Sequence, residues 1–171
     1  MQRFLGLLFM TVLLWTTAVY STPMDMQPYK GSAEFEKLKG LIGQWEGKQI
    51  QGAENETPVA VEYSLTSNGS ALVEKLMAGT PHEMVTIYHD KQGRAALNHY
   101  CALGNQPQMD LVSATGNTLV FELSPASDID VAKEDHMHGL TLEFDDTHLK
   151  QSWTFYQNGQ PVGMHVFEFS R

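Results

Sequence analysis

The chain carries a single cysteine, Cys101, in 171 residues. One thiol closes no intrachain disulfide and cannot supply a cysteine-rich zinc or iron–sulfur site. Positive charge is also scarce. Eleven lysines and arginines face 20 aspartates and glutamates, for a net charge of -9, and no basic run occurs. A chain of this sign is repelled by phosphate backbones, so nucleic acid is not an expected partner. There is no Gly-x-Ser-x-Gly elbow and no phosphate-binding glycine loop. The acidic stretch 124–135 lacks the spaced oxygens around a glycine turn that calcium requires. No helical period long enough for a βαβ crossover follows residue 43, which argues against a parallel sheet. What remains is 42% hydrophobic and 10% aromatic residues, enough for one domain with one core.

Residues 1–21 read as a secretory signal peptide. Arg3 supplies the positive start, residues 4–15 form an apolar run too short for a comfortable membrane span, and small residues follow at Ala18 and Ser21. The expected protein is therefore exported, periplasmic or secreted, with no membrane span once the signal is cleaved. Residues 22–31, with two prolines and a glycine, read as an extended lead-in, and residues 32–171 as one folded domain.

Ser32 is placed to cap a short helix, with Glu34 and Glu36 in its first turn. Phe35, Leu38, Leu41 and Ile42 share one helical face, and Gly43 ends it. The period then changes to two. Alternating stretches at 45–50, 59–66, 71–77, 83–89, 94–101, 108–113, 118–123, 136–144, 148–156 and 160–170 are separated by turn residues such as Asn68-Gly69 and Asn158-Gly159. About ten consecutive antiparallel strands make an up-and-down meander, and closure removes its two exposed edges. The expected fold is an all-β, about ten-stranded antiparallel up-and-down barrel, closed by the short N-terminal helix. A barrel with more than about eight strands holds space beyond its own side chains.

The segment Gly43-Gln44-Trp45-Glu46-Gly47 follows the helix and opens the first strand, and Arg171 ends the last. With ten meander strands between them, these residues resemble the Gly-x-Trp signature of the calycin superfamily, which includes lipocalins, fatty-acid-binding proteins and nitrobindins. The resemblance implies that Trp45 closes the barrel base and that Arg171 packs across its ring as a cation–π contact. The chain also resembles exported bacterial lipocalin-like proteins, a likeness that supplies no activity. The Thr-Asp-Tyr motif of kernel lipocalins is absent. Gly-x-Trp-x-Gly together with His165 is similar to nitrobindins and implies haem as an alternative occupant, with His165 as axial ligand. The further glycines and the Tyr-Pro-Thr segment of that family are missing, so no cofactor is the first expectation.

Seven histidines are present. Strict alternation places His136 and His138 with Leu140, Leu142 and Phe144, Gln151 with Trp153 and Phe155, and His165 with Phe167 and Phe169. If apolar faces point inward, His138, Gln151, Trp153, Phe155, His165 and Phe167 are the candidate ligand-binding residues. The plainer alternative is that the histidines are core groups hydrogen-bonded to neighbours such as Gln151 or Ser152. Two imidazoles in His-x-His are too few for a metal centre, so no metal is expected. His99 and Cys101, two apart on one strand, point in parallel and make no nucleophile–base pair. No catalytic residue is assigned, although interior histidines leave a barrel enzyme as an alternative. The expected partner is a small apolar or amphipathic molecule in the barrel, and the sequence says nothing of oligomeric state.

In the last hairpin, a direct two-residue turn at Asn158-Gly159 would put Phe167 and Phe169 on the polar side of their neighbour. Burying two phenylalanines contributes ~1.5–3 kcal/mol each, more than turn types differ by. A bulge at Gly159 is therefore expected, with Gln151 opposite His165 and Leu149 opposite Phe167.

Overall fold

The computed structural model describes residues 27–171; the signal-peptide reading lies outside them. Among the described residues one helix, α1 (Ala33–Leu38), continues into a 3-10 turn (Lys39–Leu41). Ten strands follow: β1 (Gly43–Gln51), β2 (Thr57–Thr66), β3 (Ala71–Leu76), β4 (Met84–Lys91), β5 (Arg94–Tyr100), β6 (Gln108–Thr115), β7 (Thr118–Leu123), β8 (His136–Phe144), β9 (His148–Gln157) and β10 (Gln160–Ser170). Each pairs with its sequence neighbours, and β1 pairs with β10, giving a closed antiparallel up-and-down barrel. No helix among the described residues is long and apolar enough to cross a membrane.

The helix closes one end. Ser32 Oγ accepts from the Phe35 amide, and Asp90 at the end of β4 accepts from both the Ser32 amide and hydroxyl. Phe35, Leu38 and Leu41 are buried in the core. Ile42, expected on the same face, is 43% exposed instead. The cause is the tightened last turn: a 3-10 pitch aligns Leu38 with Leu41, and Ile42 already has extended backbone.

Trp45 seals this end from within. It is fully buried, donates from Nε1 to the Leu41 carbonyl at 2.8 Å, and has the Arg171 guanidinium 4.1 Å above its ring. Arg171 also donates to the carbonyls of Gly40, Ile42 and Asp146. One side chain thus ties the helix end, the β8–β9 turn and the last strand together. Arg171→Ala is expected to lower unfolding free energy by about 1–3 kcal/mol while preserving the fold, as read by urea denaturation. Gly47 sits where β1 meets β10 so closely that a Cβ would collide with the backbone of Glu168 and Phe169.

The last hairpin differs from expectation in an instructive way. Asn158 and Gly159 have φ of 50° and 75°, and Gln157 pairs directly with Gln160. The bulge lies further on, between Pro161 and Gly163, where Val162 is extruded and 54% exposed. Asn-Gly supplies both positive-φ positions of a two-residue turn without strain, whereas Pro161 lacks the N–H that the ladder needs. The extra residue restores the face parity that buries the phenylalanines. The register lies two residues from that expected: Phe167 opposes Gln151, Phe169 opposes Leu149 and His165 opposes Trp153.

A second bulge corrects His138. The β8–β9 register shifts between Met137 and Gly139, so His138 is the extra residue and the faces exchange upstream of it. Met137 turns to the interior opposite Phe155. His138 instead stacks on Tyr156 at 3.9 Å and lies 3.0 Å from His136, whose Nδ1 is 2.7 Å from the Glu134 carbonyl oxygen. The bulge turns this cluster away from the barrel interior.

Candidate functional site

The barrel encloses a cavity of about 910 Å3 at the end opposite the helix. The volume suits a small organic molecule. Its wall is mainly apolar: Val59, Leu76, Met77, Met84, Met137 and Phe155 take part. No lysine or arginine lines it.

Of the residues expected to meet a ligand, Trp153, Phe155, His165 and Phe167 line this cavity. His138 does not, because of its bulge. Gln151 lies beneath the lining, fully buried. Its amide donates to the Tyr63 hydroxyl at 2.7 Å and its carbonyl accepts from Trp153 Nε1 at 3.1 Å. Gln151 therefore orients the Trp153 indole without facing the cavity.

His165 is near the rim. Gly52, with φ of +88°, passes so close that a Cβ there would come within 2.5 Å of His165 Nδ1. The Gln49 amide nitrogen donates to the Gln51 carbonyl at 3.1 Å and lies 3.2 Å from His165 Nδ1. The Gln51 contact orients the amide so that nitrogen faces the imidazole, and Nδ1 accepts. The neutral ring then carries its proton on Nε2. Burial also pushes its pKa down.

Sequence reasoning passed over the polar layer beneath the cavity. Glu74, Thr86 and His99 are buried, and lie directly opposite one another on β3, β4 and β5. Glu74 accepts from the Tyr88 hydroxyl at 2.7 Å, and the Thr86 hydroxyl is 3.4 Å from its other oxygen and 3.0 Å from His99 Nδ1. Burial raises the Glu74 pKa, opposed by hydrogen bonds from Tyr88, Tyr63, Gln151 and Thr86. Desolvation lowers His99 to about 4. The clue to His99 was its place on the Ala95–Leu97 face of β5. For Glu74 alternation alone does not decide the face; pairing with Thr86 and the hydrogen bond from Tyr88 do.

Cys101 also lines the cavity, but burial pushes its thiol pKa up, the reverse of an activated nucleophile. Among the described residues no group of three or more histidine, cysteine, aspartate or glutamate side chains is placed to hold a metal ion. Compared with models of protein families, the chain matches none. Compared with curated proteins it likewise finds no match.

Proposed function

We propose that the barrel binds a small apolar or amphipathic molecule in its interior, and that the chain is exported after removal of residues 1–21. The observation that carries the binding reading is the cavity itself: about 910 Å3, walled by apolar side chains, at the end left open by the helix. Burial of ligand surface supplies the affinity, at ~25 cal/mol per Å2 before the costs of immobilisation. The few polar groups within reach fix orientation. Kinship with the calycins is part of the same proposal, supported by Trp45 under Arg171 at the closed end.

Nile red, which is neutral and brightens in apolar surroundings, should enter the cavity with a saturable fluorescence rise. Val59→Phe, which fills space in the wall, should weaken that binding tenfold or more with the β-sheet spectrum unchanged. Native mass spectrometry of protein from its own host should show a retained small molecule on a chain shortened by the signal. No uptake of Nile red by the wild type, with no retained mass, would sink the binding reading. A Soret band on haemin titration that is lost in His165→Ala would favour haem instead.

A further inference from the structure

The interior of the barrel changes character across one layer. Below it, Leu72, Tyr88 and Leu97 belong to the closed core. Above it, Leu76, Met84 and Cys101 line the cavity. The layer between is Glu74, Thr86 and His99, in direct cross-strand register. A polar row at the floor of an apolar chamber is costly to bury and calls for partners.

Most of the row has them. Tyr88 donates to one Glu74 oxygen, and Thr86 spans the gap between the other oxygen and His99 Nδ1. With the Thr86 hydroxyl donating to the carboxylate, its oxygen accepts the Nδ1 proton of His99. The neutral imidazole then keeps a lone pair on Nε2. That atom is buried and has no hydrogen-bond partner, although His99 is one of the residues lining the cavity. The Trp153 ring, 4.4 Å from the imidazole centroid to centroid, flanks it.

We propose that His99 Nε2 is the polar anchor of the cavity, accepting a hydrogen bond from the hydroxyl of a neutral, otherwise apolar ligand that enters head first. The inference rests on the ligand-binding reading above and adds the ligand's chemical class. An ether or hydrocarbon of the same length leaves Nε2 unmet. An ionised carboxylate or phosphate finds no lysine or arginine in the lining, an imidazole that burial keeps neutral, and the Glu74 carboxyl behind it. Nε2 is covered in the structure, so seating the hydroxyl moves side chains at the floor, and Trp153 is the ring positioned to report it.

Displacement of Nile red from the wild-type protein by 1-decanol, decyl methyl ether and decanoate tests this directly. Decanol should bind about tenfold tighter than the ether, the amount of one well-placed hydrogen bond, and decanoate at pH 8 should bind less tightly than decanol. In His99→Leu the alcohol preference should fall to within about twofold while ether affinity holds. The 15N resonance of His99 Nε2 should shift with decanol and stay still with the ether, a readout independent of any variant's folding. Equal binding of alcohol and ether by the wild type, or a preference that survives in His99→Leu, overturns the anchor. Uptake of Nile red and ether without alcohol preference refutes the anchor alone. No uptake of any probe refutes the binding reading and the anchor with it.

Discussion

Trp45→Ala is expected to cost about 3–5 kcal/mol of unfolding free energy, the range for removing a large aromatic from a packed core. Trp45 is fully buried, its indole nitrogen is tied to the Leu41 carbonyl, and it carries the Arg171 guanidinium on its face. Truncation empties the junction of helix, first strand and last strand at once. Arg171 loses its aromatic platform, and the Leu41 carbonyl loses its donor. Against the ~5–15 kcal/mol that holds a typical domain together, that loss is large enough to move the urea midpoint strongly. Trp45→Phe keeps most of the volume and should lose markedly less. A loss below about 1 kcal/mol in the alanine variant would show that the barrel end is held by other contacts.

The second large effect is on acid stability, through His99. Its pKa falls from an ordinary 6.5 to about 4 in the folded protein, because the imidazole is desolvated. The unfolded chain therefore binds the proton more readily than the native one. The stability that His99 contributes is fully present above about pH 6.5, and is lost as pH falls toward 4. From 6.5 to 4 the difference is worth roughly 3 kcal/mol, at 1.36 kcal/mol per unit. Glu74 works in the opposite sense. Burial raises its pKa above 4.5, so its contribution is present in acid and falls as pH rises through that raised value. Comparing wild type with His99→Gln by urea denaturation at each pH isolates the imidazole. The advantage of the wild type should shrink by about 3 kcal/mol between pH 7.5 and pH 4. A difference that stays flat would mean that His99 titrates alike in the folded and unfolded chains, and its place in the floor would need another account.

Several features of this protein were legible because they depend on neighbours in sequence. The cap at Ser32, the change of period after Gly43 and the turn signals between strands act over a few residues. They led to a short helix and ten strands in the order the barrel shows. The side-chain pattern of β9 has no bulge to disturb it, and Gln151, Trp153 and Phe155 keep the shared face that alternation assigned.

His138 and the last hairpin were legible only in part. Two-residue alternation holds until one residue is extruded, and then every side chain beyond it changes face. The bulge at His138 puts Met137 into the interior and leaves the histidine stacked on Tyr156. The burial demand of Phe167 and Phe169 correctly required a bulge in the final hairpin. It could not say where, because a bulge at any point before Phe167 restores the same parity. Pro161, which cannot donate to the ladder, decided that.

The amino-acid sequence by itself determined the architecture: alternation and hairpin turns specify successive antiparallel strands, and strand edges that must be paired specify closure. Only the tertiary structure decided which polar groups meet. Glu74, Thr86 and His99 are twelve or more residues apart in the chain, and come together because register places them side by side. Register is set by the whole ring of pairings and its bulges, not by any local run of residues. The same holds for His165, whose partner Gln49 lies 116 residues away across the seam where the barrel closes.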